Sequence, residues 1–188
     1  MADPPSPPMR AGHPPSHPRS QLRVVLASNN AGKLAELRAL FGALPLDLVA
    51  QPELGLAEAE EPHATFIENA LAKARHAARA SGCAALADDS GLCVDALGGA
   101  PGVSSAAFAA LALPSGGREA QRRQQDAANN ALLLQRLHGI TARRAGFVCT
   151  LVALRAPGDP QPLVASGRWW GEILDAPRGA GGFGYDPL

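Results

Sequence analysis

The sequence predicts an α/β fold, a mixed β-sheet with helices packed on it. Short β-branched apolar runs alternate with helix-period leucine and alanine patterns in the first half, and strand patterns cluster in the second. With 188 residues, 46% of them hydrophobic, the chain is also long enough to bury one core without disulfide or metal staples.

Leu22 to Ala27 (LRVVLA) reads as a buried strand closed by the turn residues Ser28, Asn29 and Asn30. From Ala31, the residues Leu34, Leu37, Leu40, Phe41 and Leu44 recur at three- and four-residue steps, a helix that Pro45 ends. Asp47 to Gln51 reads as a second strand, before the acidic loop Glu58-Ala59-Glu60-Glu61-Pro62. Thr65-Phe66-Ile67-Glu68 has the pattern of a capping box, opening an alanine-rich helix to about Ser81. Ala84 to Ala87 reads as a short strand ending on Asp88-Asp89-Ser90-Gly91, and Leu92 to Leu97 as another. A helix follows from about Arg118 to His138, with Leu132, Leu133 and Leu137 on one face. Gly146 to Leu154 and Leu163 to Leu174 read as consecutive strands joined by a turn at Pro157 to Pro160. Ahead of all this, Met1 to about Gln21 holds seven prolines and almost no large apolar side chain. It is predicted to be a disordered tail, leaving 22–188 as the domain.

Seventeen basic residues balance seventeen acidic ones. That neutrality argues against a partner such as a nucleic-acid polymer or an anionic membrane, which needs surplus positive charge. No run of eighteen apolar residues offers a membrane span. Cys83, Cys93 and Cys149 make an odd count without CxxC spacing, which favours reduced thiols and a cytoplasmic location over a disulfide framework or structural zinc.

Four segments carry residues suited to chemistry, and each also has an ordinary structural reading. Ser28-Asn29-Asn30-Ala31-Gly32-Lys33 spans a strand-to-helix junction, where free amides and a cation can cradle phosphate or where Asn30 simply caps the helix. Lys33 is one of only two lysines beside fifteen arginines. Glu58, Glu60 and Glu61 could hold Mg2+ or be a solvated acidic loop. Asp88 and Asp89 alternate in direction, so one can face a cleft and prime a water while the other bonds amides; an Asx turn is the plain alternative. Gly181-Gly182-Phe183-Gly184-Tyr185-Asp186-Pro187 offers two flat rings on which a base could stack, or an ordinary glycine-rich turn.

Taken in order, LASNNAGKLAEL, TFIENALAKARHAA, ALADDSGLCVDALGGAPGVSSA, DAANNALLL and GGFGYDPL resemble the inosine triphosphate pyrophosphatase (RdgB-like) family. The likeness runs from Leu22 to Leu188. It implies a long mixed sheet in two lobes with the active site in the cleft between them, and a homodimer. It further implies Mg2+-dependent hydrolysis of ITP, dITP or XTP to the monophosphate and pyrophosphate. By position, Ser28, Asn29, Asn30, Ala31, Gly32 and Lys33 are expected to hold the triphosphate. Glu60 and Asp89 are expected to bind metal, Asp89 to accept the proton of the attacking water, and Ser90 to contact substrate. Phe183, Gly184, Tyr185 and Asp186 are expected to line the base pocket.

Two departures accompany the resemblance. The family continues past GFGYDP with a strand and helix carrying a lysine and a Ser-His-Arg motif, whereas this sequence stops at Leu188, so the domain is expected to be C-terminally incomplete. Bacterial relatives also place an aromatic residue and an arginine where Ser104 and Ala107 stand here. The alternatives are a nucleotide-binding module without catalysis and a related pyrimidine triphosphate pyrophosphatase.

Overall fold

A computed structural model describes residues 21–111, 117–179 and 181–188. The predicted proline-rich tail, apart from Gln21, lies outside the described residues. The elements are β1 (Leu22–Leu26), α1 (Ala31–Phe41), β2 (Leu46–Ala50), α2 (Phe66–Ser81), β3 (Ala84–Val94), α3 (Arg118–Arg136), β4 (Arg144–Leu154) and β5 (Leu163–Glu172). Short 3-10 helices intervene, notably over Gly102–Ala107. The five strands form one mixed sheet in the order β2-β1-β3-β4-β5. Strand β1 runs parallel to β2 and β3, while β3–β4 and β4–β5 are antiparallel.

Each face of the sheet buries a different helix. Val25, Ala27, Ala85 and Ala87 point to one side, where they meet Ala70, Ala74, Ala77 and Ala78 of α2. The alanines let helix and sheet approach closely, and every one of these four is fully buried. Val24, Leu26, Ala84 and Leu86 point to the other side, against Leu34 and Leu37 of α1. A third cluster gathers Leu92, Val94 and Ala145 of the sheet with Leu133 of α3, Leu137 just past its end, Tyr185 and Leu188.

The predicted elements hold, with corrections at their ends. Helix α1 stops at Phe41, short of Leu44, and both Leu44 and Leu40, the latter inside the helix, are exposed although spacing alone put them on its apolar stripe. Thr65 caps α2 by accepting the Glu68 amide, but its hydroxyl donates to the Glu68 carboxylate, which does not return to the Thr65 amide. The larger correction concerns β3. The two strands expected on either side of Asp88-Asp89-Ser90-Gly91 are one eleven-residue strand. It pairs with β4 continuously from Ala85↔Leu154 to Val94↔Ala145. The polar residues that mimic a turn have partners elsewhere, and only Asp95–Leu97, at the end of the second expected strand, leaves the ladder as a 3-10 helix.

Gly91 is a point of close approach rather than a turn. A Cβ there would overlap the Gly102 carbonyl oxygen and the Ser105 hydroxyl. That hydroxyl accepts the Leu92 amide at 2.9 Å and donates to the Gly102 carbonyl at 2.6 Å, which stitches the 3-10 helix to β3. Gly91→Ala is therefore expected to destabilise the fold by about 1–3 kcal/mol through overpacking, read as a lowered urea midpoint with unchanged slope.

Candidate functional site

Strand β1 pairs with β3 only at Val24, Val25 and Leu26, then leaves the sheet at Ala27. Its flanking strands β2 and β3 are reached in opposite directions across the sheet, so a crevice opens beyond its carboxyl end. Open α/β sheets bind ligands at such a switch point. Strand β3 continues past it, and its two-residue period places consecutive side chains on opposite faces. Asp88 follows Ala84 and Leu86 to the α1 side, where it meets the Lys33 ammonium at 2.6 Å. Asp89 follows Ala85 and Ala87 to the α2 side, where the Asn69 amide donates to it at 3.1 Å.

The two carboxyls differ in electrostatics. Burial opposes ionisation of Asp88, but the Lys33 charge and hydrogen bond outweigh it and hold the group below the usual aspartate range. The Ser90 hydroxyl adds a bond to Asp88 at 3.0 Å. Burial pushes Asp89 the other way, above that range; the nearby Glu61 charge adds to the rise against the Asn69 hydrogen bond.

Asp89 and Ser90 line a cavity of about 140 Å3 together with Ser28, Asn30, Lys33, Lys73, Glu58, Glu61 and Arg122. Both lysines of the chain thus meet in one hollow. The Lys73 ammonium lies 2.6 Å from Glu61. Burial works against its charge, yet the bond to Glu61 keeps it above the ordinary lysine range. A larger hollow of about 300 Å3 lies by Trp169, Trp170 and Tyr185, but its walls are mostly apolar and hold neither lysine nor Asp89.

At the strand-to-helix junction, Asn30 caps α1 by accepting the amides of Gly32 (3.0 Å) and Lys33 (3.4 Å). The cap and a phosphate cradle compete for the same donors, so both readings of this segment meet at two N–H groups. The Ser28 hydroxyl accepts the Asn30 amide, and Asn29 accepts the Gln51 side-chain amide at 3.1 Å. Of these residues Ser28, Asn30 and Lys33 line the cavity, whereas Asn29, Ala31 and Gly32 do not.

Glu60, expected to help bind metal, lies outside the cavity lining, which Glu58 and Glu61 join instead; all three are exposed. Among the described residues no three His, Cys, Asp or Glu side chains are grouped to hold a metal by themselves.

The glycine-rich turn divides its tasks unevenly. Phe183 lies against the start of α1, its ring 3.0 Å from where a Cβ of Gly32 would sit, and it keeps an exposed face. Tyr185, expected in the base pocket, is instead buried in the α3 core with its hydroxyl donating to the Ser105 carbonyl at 2.9 Å. Asp186 accepts the Phe183 amide at 2.8 Å and so shapes the turn. Gly184 is held by its backbone, its amide on Asp126 and its carbonyl on Asn130.

Sequence reasoning passed over Asn69, Lys73, Glu61's place in the cavity lining, Arg122 and the α3 residues that hold this turn. One signal was in view, since Lys73 is the only lysine besides Lys33.

Fold and site together define an α/β protein with a charge-lined crevice at the switch point of its sheet. The chain belongs to the Ham1 family, whose model matches residues 24–188. It is 74% identical over 167 residues to a dITP/XTP pyrophosphatase of Methylibium petroleiphilum, covering 89% of this chain and 80% of that protein. It is 65% identical to a dITP/XTP pyrophosphatase of Leptothrix cholodnii, again with 89% and 80% covered. Among solved structures, a HAM1 protein from Coxiella burnetii superposes with a TM-score of 0.73 at 41% identity, covering 89% of this chain and 81% of that one.

Lys33→Met would strand Asp88 as a buried, unpaired carboxylate, an expected loss of about 3 kcal/mol at neutral pH. In the parent chain the lowered Asp88 pKa contributes stability that is present above the unfolded value and lost as pH falls through the folded one. The gap between parent and variant is therefore expected to close on acidification through the carboxylate range, checked by denaturation at several pH values.

Proposed function

We propose that this protein hydrolyses deaminated purine nucleoside triphosphates (dITP, XTP and ITP) to the monophosphate and pyrophosphate. The observation that carries the reading is that Asp89, its pKa raised, faces the same cavity as both lysines of the chain. The matched relatives named as dITP/XTP pyrophosphatases supply the substrate class.

Attack of water on the α-phosphorus needs alignment and charge neutralisation more than covalent chemistry. Asp89 takes the proton of that water. Its raised pKa brings its basicity nearer the working pH, and the Asn69 amide fixes its orientation. Lys33 and Lys73 grip the phosphate oxygens, with the Ser28 hydroxyl as a further donor lining the same cavity. Phe183 presents its open ring beside α1 as the surface on which the base stacks. Selection of a 6-oxo purine follows if a donor meets that oxygen, because adenine's amino group would then leave two donors facing each other.

The charges in the crevice fit a divalent cation. Lys33, Lys73 and Arg122 line the crevice with Asp89, Glu58 and Glu61, and Asp88 pairs with Lys33, so the carboxylates outnumber the cations. One oxygen of Asp88 is also buried with no hydrogen-bond partner among the described residues. Hard carboxylate oxygens suit Mg2+, which is held by one or two carboxylates plus substrate phosphates. Asp89 and Glu61 would be those carboxylates, and the ion would supply charge neutralisation at the phosphates.

Purified protein with Mg2+ is expected to release pyrophosphate from dITP and ITP far faster than from dATP and ATP. Equal turnover of both pairs, or release of orthophosphate alone, would defeat the substrate assignment. Asp89→Asn is expected to lower kcat about 10²–10⁴-fold with an unaltered melting profile.

The same reading makes the enzyme a cytoplasmic homodimer. Strand β5 is the outer edge of the sheet and is exposed at every residue, including Trp169 at 79% and Leu163 at 75%. An open apolar edge of this kind is a template for pairing with a second copy. Sedimentation at micromolar concentration is expected to give twice the chain mass, and Trp169→Glu to lower it; a monomeric parent chain would exclude the dimer.

A further inference from the structure

We propose that Arg122 is a substrate-binding residue of the crevice, the cation that first engages the polyphosphate. The inference rests on the reading above for the identity of the ligand, and on three observations for the residue.

Arg122 lines the cavity from α3, a different element from the helices that carry the lysines, as do Val103 and Ala106 of the 3-10 helix. The face of α3 that carries it is fixed. Asp126 and Asn129 follow at helical spacing and hydrogen-bond inward, Asp126 to the Gly184 amide and Asn129 to the Ser105 and Ala106 carbonyls, and Leu133 is fully buried. Arg122 therefore sits on the inward stripe one turn before the first of these anchors, while its neighbour Arg123 points outward and pairs with Glu119.

Charge pairing separates Arg122 from the lysines. Lys33 is committed to Asp88 and Lys73 to Glu61, each at 2.6 Å. Arg122 has no ion pair or hydrogen bond among the described residues. Among the described residues it is the one cation of the cavity whose full charge and five N–H donors are available before a ligand arrives. A guanidinium matches two phosphate oxygens at once, so it grips and orients without a prior partner to displace. Nothing places it beside Asp89, and its task is binding rather than chemistry.

The closing experiment measures inorganic triphosphate by calorimetry and dITP by steady-state kinetics, on Arg122→Ala, Arg122→Lys and, as an outward-facing control, Arg123→Ala. Arg122→Ala is expected to weaken triphosphate binding and raise KM for dITP about tenfold, with kcat changed less than twofold and a shallower salt dependence of binding. Arg122→Lys is expected to recover part of the loss, and Arg123→Ala to behave as the parent. Unchanged triphosphate affinity in Arg122→Ala, or an equal loss in Arg123→Ala, would overturn the role of Arg122. Failure of the functional reading is distinguishable: the parent chain would bind triphosphate through Arg122 yet release no pyrophosphate from dITP.

Discussion

The site depends on a strand that keeps its two-residue period where its neighbour has ended. Up to Leu86, β3 is shielded by β1, and its alternate side chains are alanine and leucine packed on two helices. Two residues later the same alternation delivers carboxylates into equally buried positions. Each is tolerated because the helix it faces supplies a partner, Lys33 from α1 or Asn69 from α2. A buried carboxylate without such a partner would not stay ionised. The contrast between an ion pair on one side and a neutral amide on the other sets Asp88 and Asp89 apart in acidity. Adjacent, identical side chains thus shift in opposite directions.

Helix α3 performs the complementary task. Its inward stripe is polar for two turns before it becomes apolar at Leu133. Asn129 alone accepts from Ala109 and Gln125 and donates to Ser105 and Ala106. Asp126 and Asn130 hold the backbone of Gly184, and the Tyr185 hydroxyl returns to Ser105. Two irregular segments with no ladder of their own are thereby fixed to one rigid element, which is how a loop can carry a defined wall of a crevice. Because these bonds are interlinked and at least partly buried, loosening one weakens the others.

The pattern of strands and helices was legible because periodicity records burial, and burial is what the sheet and its helices share. The errors lie where polar residues satisfy distant partners. Asp88-Asp89-Ser90-Gly91 has the composition of a turn, and only the positions of Lys33, Asn69 and Ser105 show that it is strand. Tyr185 has the same sequence neighbours whether it faces a ligand or a core, and the packing of α3 decides for the core. Glu60 and Glu61 are adjacent on a loop without period, so nothing local distinguishes the one that joins the cavity lining. Arg122 belongs to a stretch rich in arginine and glutamine, where spacing from Asn129 and Leu133 becomes informative only once that face is known to be buried.

The cap on α1 carries a consequence for turnover. Its two leading donors already hold the Asn30 oxygen, so an incoming anion exchanges one acceptor for another and gains little net enthalpy there. Under the proposed function the helix start is a seat that recloses behind a departing product instead of a trap that retains it. An enzyme whose leaving group is itself a tightly charged anion is helped by such a self-healing berth, since release and not bond cleavage can limit the cycle.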